Sequence, residues 1–148
     1  MDVYSSNRSS LNTNRIKRID DRVIVFALPQ KAQDGAYSKV IRFPSKGRVK
    51  EAYASCDVPG SGDTVINIER CTEQEYMVSP IWEDIFDKPL TIPSTKRSSK
   101  AATTPYTLTN TGGVVGTGDH FRVTINHNGS IEGIVVQLTI EVEIEIDS

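Results

Sequence analysis

With 148 residues and 37% hydrophobic side chains, the chain is long enough to form one domain with a buried core. Its formal net charge of −2 at pH 7 argues against a general nucleic-acid-binding protein, which normally carries a basic surface. The sequence has no apolar run of the roughly 18 residues that a membrane-spanning helix needs, and its first residues lack the apolar region of a secretory signal. We therefore expect no nucleic acid and no membrane among its partners.

The first 21 residues are rich in Ser, Asn and Arg and show neither a helical nor a strand period. Such a segment has few apolar groups to bury, so we predict a flexible arm at residues 1–21 and a folded domain at residues 22–148. A disordered terminus without a function is the common alternative for a chain end. The candidate partner-binding residues of the arm are Arg8, Arg15, Ile16, Lys17 and Arg18.

Strand-like segments then follow one another, separated by glycine, proline and asparagine. Some are unbroken apolar runs, and others alternate apolar and polar residues, as a strand with one buried face does. The predicted strands are residues 22–29, 38–44, 47–56, 64–70, a short one within 106–110, 120–126 and the C-terminal segment from 134. Seven or eight short strands with little helix predict an all-β fold, a single antiparallel β-sandwich of jelly-roll type.

One short helix is predicted at residues 79–89. Ser79 fits the N-cap and Pro80 fits the first helical position. Trp82 and Phe86 are four residues apart, which places them on one face of such a helix, packed against the sheet. This interpretation puts the only tryptophan in the core.

Cys56 and Cys71 are the only cysteines. They lie at the ends of two predicted strands that we expect to be neighbours, so a disulfide between them is one interpretation. The favoured interpretation is a pair of buried free thiols in a protein made in a reducing compartment. Two thiols alone do not complete a zinc site.

The C-terminal segment GIVVQLTIEVEIEI, residues 133–146, alternates apolar and polar side chains over most of its length. In one interpretation, an ordinary strand ends near Ile140 and an acidic tail frays. In the favoured interpretation, residues 142–146 continue past the domain and pair with another chain, because an exposed apolar edge is normally covered. The acids then form a ladder with the basic arm as its complement. The candidate subunit-interface residues are Val142, Glu143, Ile144, Glu145 and Ile146.

No catalytic constellation stands out in the sequence. His120 and His127 lie at opposite ends of one predicted strand, about 23 Å apart at the usual rise per residue, so they cannot bind one metal within a subunit. The Gly-rich stretch 112–118 lacks the Lys-Ser/Thr of a P-loop, and no helix follows it. We expect no enzyme activity, no cofactor and no metal site.

The order of elements over residues 22–146 resembles that of capsid decoration (cement) proteins of tailed bacteriophages. The segments that carry the resemblance are VIVFALP, VIRFP, GRVKEAYASCDVPGSGDTVINI, PLTIPS, GTGDHFRVTI and VVQLTIEVEI. None of them is a catalytic motif, so the likeness is one of fold style.

The resemblance implies a non-enzymatic structural protein of the virion, a homotrimer on the capsid exterior that stabilises the phage head by binding the lattice of the major capsid protein. It also implies assembly in the host cytoplasm. A receptor- or glycan-binding domain of a head fibre or tail tip shares the style and is the alternative function. A glycan site needs exposed aromatic side chains, and because Trp82 is predicted to be buried, we expect the first function.

Overall fold

The computed structural model describes residues 15–147, and over this range the chain is folded mainly into antiparallel β-sheet. The strands are β1 (Arg15–Ala27), β2 (Gly35–Ala36), β3 (Ile41–Arg42), β4 (Gly47–Ser55), β5 (Thr64–Cys71), β6 (Glu83–Asp84), β7 (Phe86–Lys88), β8 (Leu90–Ile92), β9 (Thr107–Leu108), β10 (Val114–Val115), β11 (His120–His127) and β12 (Val135–Asp147). One α-helix, α1 (Glu73–Val78), and a 3₁₀ turn at Ser99–Ala101 complete the described elements. The predicted all-β fold with one short helix is confirmed.

Two sheets contain most of these strands. Sheet A has the order β1-β12-β4-β10, and sheet B has the order β2-β11-β5-β6, with β3 also paired to β11 and β8 also paired to β5. Strands β7 and β9 form a separate pair. The two ends of the described chain are neighbours in sheet A, because β1 pairs with β12 over its whole length of 13 residues.

One hydrophobic core lies between the two sheets. Ile24 of β1 and Leu138 of β12 reach it from sheet A, and Phe121 of β11 and Ile68 of β5 reach it from sheet B. Successive side chains of a strand point to opposite faces, so the apolar positions of each alternating segment form the inner layer. Burying a side chain of this size stabilises the fold by roughly 1.5–3 kcal/mol.

Strand β1 begins at Arg15, so the expectation of a segment without a fold of its own is wrong for residues 15–21. These residues pair with residues 141–147, from Asp21 opposite Glu141 to Arg15 opposite Asp147. The cause is non-local, because the partner strand comes from the other end of the chain. Its backbone groups form the hydrogen bonds that a polar, exposed segment would otherwise make to water. Residues 1–14, the remainder of the predicted arm, lie outside the described residues.

The helix also lies elsewhere than predicted. Helix α1 begins after Thr72, whose hydroxyl accepts a hydrogen bond from the Glu75 N–H while the Glu75 carboxylate accepts one from the Thr72 N–H. This reciprocal capping box satisfies two N–H groups at the helix start. Ser79, the predicted N-cap, is the C-cap, and Pro80 follows it. The residues expected to be helical contain the short strands β6 and β7 instead.

The two cysteines lie on different sheets, so the expectation that their strands are neighbours is wrong. Cys56 follows β4 of sheet A, whereas Cys71 ends β5 of sheet B. Both are free and buried, and the Cys56 thiol donates to the Lys96 carbonyl oxygen at 3.6 Å. The favoured prediction of two buried free thiols is confirmed.

Candidate protein-binding surface

Beyond Glu141, strand β12 continues with β1 after its pairing with β4 has ended. The last β12–β4 pair is Glu141 with Arg48, whereas the β1–β12 ladder runs on to Arg15 and Asp147. We call this two-stranded extension, residues 15–20 and 142–147, the terminal ribbon. The length of the C-terminal strand is therefore explained by pairing within the chain.

The terminal ribbon differs from both interpretations of the acidic tail. The strand does not end near Ile140, and the partner of residues 142–147 is β1 of the same chain. Val142 is buried and Ile144 packs partly against the core, while Glu143 and Glu145 lie exposed in the strand. Ile146 is placed in the strand opposite Ile16. A role for these five residues in a subunit interface stays a prediction.

Two basic residues of the predicted arm, Lys17 and Arg18, face acids within the chain. Lys17 Nζ lies 3.6 Å from Glu143 Oε1, and Arg18 Nε donates to Asp20 Oδ1 at 3.0 Å. A hydrogen bond from Arg22, together with the one from Arg18, holds the pKa of Asp20 below its usual value. These exposed pairs contribute little to stability.

The other predicted arm residues are less fully described. Arg15 and Ile16 lie in β1, opposite Asp147 and Ile146. Arg8 lies outside the described residues. Binding of a partner by the arm stays a prediction.

Strand β1 is one of the two edge strands of sheet A, and β10 is the other. Strand β12 lies along one side, and within residues 15–147 no strand pairs with the other side. Ile19, Val23 and Val25 are exposed by 59%, 52% and 48% on the face of β1 turned away from the core. A long edge with apolar side chains is a template for pairing with another chain, and proteins normally cover or shorten it. This edge is therefore a candidate binding surface.

Two grooves are lined in part by residues of β1. The first, of about 420 Å³, lies at the base of the terminal ribbon, where apolar Ile19 and Val114 are bordered by basic Arg48 and acidic Glu141. Gly47 is required here, because a Cβ at this position would lie 2.6 Å from the Glu141 carbonyl oxygen. The second groove, of about 560 Å³, lies between the end of β1 and the β2–β3 segment. Its lining is mostly apolar and includes Val25, Leu28, Pro29, Tyr37, Ile41 and Val123.

A second exposed apolar region lies on and after helix α1. We call it the apolar cap, and it consists of Tyr76, Met77, Val78 and Ile81. These side chains are exposed by 39% to 77%, and no residue of α1 is buried. The sequence pattern did not predict this region, because Ile81 was assigned to a helix packed on the sheet. The spacing of Thr72 and Glu75 was the signal that could have located helix α1.

Trp82 lies outside the hydrophobic core, so its predicted burial is wrong. It is half-buried on the outer side of sheet B, where the Arg122 guanidinium stands 4.4 Å from its ring centroid. Tyr76 contacts Trp82 edge-on at 6.2 Å and stacks on His120 at 4.0 Å. Arg122 also donates to Glu69 at 2.7 Å. These contacts form an aromatic and charged patch beneath the apolar cap.

The histidines do not converge on a site. His120 is buried with its Nδ1 atom unpartnered, while His127 at the far end of β11 places Nδ1 2.7 Å from the Asp63 carbonyl oxygen. Beside His120, Asp119 accepts the Gly116 N–H and lies 3.8 Å from Arg70, and burial raises the pKa of its carboxyl. Within the described range, no group of three or more His, Cys, Asp and Glu side chains is placed to hold a metal ion.

Comparison with known proteins gives no relative: no family model, curated protein or solved structure matches the chain. Among the described helices, none is long and apolar enough to cross a membrane. The exposed strand edge, the two grooves and the apolar cap are therefore the features from which a function is inferred.

Proposed function

We propose that this chain is a non-enzymatic structural protein of a bacteriophage virion, a decoration or cement protein that binds the capsid lattice as an oligomer. The observation that carries the proposal is the open edge of β1, where Ile19, Val23 and Val25 are exposed along a strand that no described strand covers. An edge of this kind binds by adding a strand, with main-chain hydrogen bonds for affinity and side-chain pockets for specificity.

The strand order supports the proposal at the level of the fold. Two sheets ordered β1-β12-β4-β10 and β2-β11-β5-β6 fit the alternation of early and late strands in a double Greek key. We infer a jelly-roll arrangement from this order, and jelly rolls recur in viral capsid and lectin domains. This support is an analogy of fold, so the surface has to carry the functional argument.

Binding to a lattice makes a modest contact sufficient. A stable interface buries about 1,600 Å² in total, but an oligomer that engages several lattice positions at once gains avidity without any new contact. The apolar side chains of β1 would supply the buried centre. Lys17 and Arg18 are exposed at the rim, where charges act mainly on the association rate and its salt dependence. The major capsid protein is the proposed partner, and the homotrimer remains a prediction from the resemblance.

Binding to empty shells, assembled from the major capsid protein of the same genome, tests the proposal. We expect the wild-type chain to co-sediment with shells, and the β1 variant Val25→Lys to bind about tenfold more weakly, because a lysine on an edge strand opposes strand addition. Val58→Lys is the matched control, since Val58 is 43% exposed but lies outside β1. Equal binding by all three proteins would show that the β1 edge is not the binding surface. No binding by the wild type would show that the chain does not bind this capsid.

The alternative function, glycan or receptor binding, is favoured by one observation. Trp82 is partly exposed with Arg122 over its ring, whereas a buried tryptophan was the reason to prefer the first function. Aromatic rings and arginine stack on sugar and peptide groups. A glycan array probed with the wild type and with Trp82→Ala tests this function. A glycan that binds the wild type but not the variant would support it, and the absence of any bound glycan would oppose it.

A further inference from the structure

The outer part of β1 has a charge pattern that is complementary to itself. Residues 17–21 read Lys, Arg, Ile, Asp, Asp, with two bases before the isoleucine and two acids after it. We propose that β1 is the contact between two copies of this chain, which pair antiparallel about a twofold axis at Ile19.

In this register every charge of the segment meets its opposite. Lys17 of one copy stands opposite Asp21 of the other, and Arg18 stands opposite Asp20, twice each by symmetry. Ile19, which is 59% exposed in the single chain, stands opposite its own copy. Directly opposed residues on antiparallel strands share a face, and opposite charges at such positions stabilise the pair.

The neighbouring registers are excluded by like charges. A twofold axis perpendicular to the sheet keeps the inner and outer faces of both copies aligned. In such a pairing one residue of β1 lies directly opposite the same residue of the second copy, and the register is named by that residue. An axis at Asp20 places Arg18 against Arg22 and Asp20 against its own copy. An axis at Arg18 places that residue against itself. The register at Ile19 is therefore selected by repulsion in the alternatives as well as by attraction.

Pairing of this kind extends existing structure without breaking it. Asp20 already lies between Arg18 and Arg22, and Asp21 accepts from Lys50 Nζ at 2.7 Å. A carboxylate has two oxygens and accepts several hydrogen bonds, so a further donor from the second copy joins these pairs. The two copies of sheet A would form one continuous sheet, with β1 beside β1 at its centre.

Charges on an edge strand often serve to prevent pairing, and that is the ordinary explanation for this segment. A protective edge works best when its charges have one sign, because two copies then repel in every register. Here the side-chain charges change from positive to negative at Ile19, so two copies of β1 attract each other in one register. The inference does not depend on a capsid. Its twofold contact uses the same free side of β1, so it is an alternative to strand addition by a capsid protein at that edge and to the homotrimer that the resemblance predicts.

Charge reversal at two positions tests the pairing. Arg18→Asp alone sets the introduced carboxylate against Asp20 of the second copy, and Asp20→Arg alone sets the introduced guanidinium against Arg18. Both variants keep the Lys17–Glu143 and Lys50–Asp21 pairs. We expect a wild-type dimer at tens of micromolar in sedimentation equilibrium, and at least tenfold weaker association for each variant. A 1:1 mixture of the variants restores opposite charges at every opposed pair, so the dimer returns.

The matched control is Arg97→Asp, which makes the same charge change as Arg18→Asp on an exposed residue that lies outside β1, between β8 and the 3₁₀ turn. It should associate like the wild type. A wild-type monomer at about 100 micromolar, unchanged association of both variants, or a mixture that stays monomeric would each overturn the proposal. Circular dichroism of each variant confirms that it is folded.

Disulfide cross-linking tests the pairing register independently of the charge variants and of whether they fold. Ile19→Cys places two thiols directly opposite each other across the axis, close to the Cβ separation of a disulfide, whereas Val23→Cys places them far apart along the strands. We expect mild oxidation to give a covalent dimer with Ile19→Cys and none with Val23→Cys. Equal cross-linking at both positions, or none at Ile19→Cys, would contradict the register.

Discussion

Two exposed apolar regions, the edge of β1 and the apolar cap, differ in how they can bind. The edge combines exposed Ile19, Val23 and Val25 with backbone groups and an ordered series of charges, so it fixes both the direction and the register of a partner strand. The cap presents Met77, Val78 and other side chains from a helix of 6 residues and offers apolar area without that order. The edge is therefore suited to specific pairing, whereas the cap supplies non-directional contact.

The largest effect is expected from a charge on the inner face of the terminal ribbon. Val142 is 6% exposed and opposite Asp20, so Val142→Asp removes apolar burial and places a carboxylate in the core margin. We expect the free energy of unfolding to fall by about 3 kcal/mol in urea denaturation.

The control for that change is Val25→Asp on the outer face of β1. Its side chain is about half exposed, so its effect should stay within about 0.5 kcal/mol. Equal losses from the two variants would show that the two strands do not have one buried and one exposed face.

A smaller effect should separate the two ends of helix α1. Thr72→Ala removes the hydroxyl that accepts the Glu75 N–H, which should cost about 1 kcal/mol. Ser79→Ala at the C-cap should change stability by less than about 0.5 kcal/mol, because its backbone N–H, which donates to the Glu75 carbonyl oxygen, is retained. The reverse order of losses would favour a helix that begins at Ser79.

The smallest effect concerns the two thiols. Burial raises the pKa of Cys56 and of Cys71, so in the folded state both keep their protons at a pH where unfolded thiols ionise. As the pH rises past the usual thiol value of about 8.5, the unfolded state loses protons first, and the free energy of unfolding therefore decreases. This decrease should be smaller in a Cys56→Ala, Cys71→Ala variant.

Slow alkylation provides a second check on the thiols. Buried, protonated thiols are weak nucleophiles, so iodoacetamide at about pH 7.5 should modify the folded chain slowly and the chain in urea rapidly. Fast modification of the folded protein at either cysteine would contradict its burial.

Local patterns predicted the strands well but could not predict their partners. The alternation from Ile134 to Val142 located the inner face of β12, because a period of two follows from backbone geometry alone. The pairing of residues 15–21 depends on a strand at the other end of the chain, and polar composition suggested the opposite. Exposure of Ile19 and partial exposure of Trp82 likewise follow from how the sheets pack.

Helix α1 was predicted at the wrong residues although its start signal is local. Its capping box was present in the sequence as Thr72 and Glu75, three residues apart, but Ser79 and Pro80 gave a competing start signal. The same two residues end α1, because a residue that precedes proline is driven away from helical geometry. The apolar cap was missed as a consequence, since Ile81 was assigned to the packed face of that helix and residues 76–78 were assigned to no element.

Amide hydrogen exchange of the wild-type chain, compared at low and high protein concentration, tests the central claim that β1 is the binding edge. Added strand pairing protects backbone N–H groups that point away from β12, whereas contact at the apolar cap protects helix α1 and the residues after it. We predict that association slows exchange in residues 17–21 and leaves residues 76–81 unchanged. Slower exchange confined to residues 76–81, with β1 unaffected, would contradict the account.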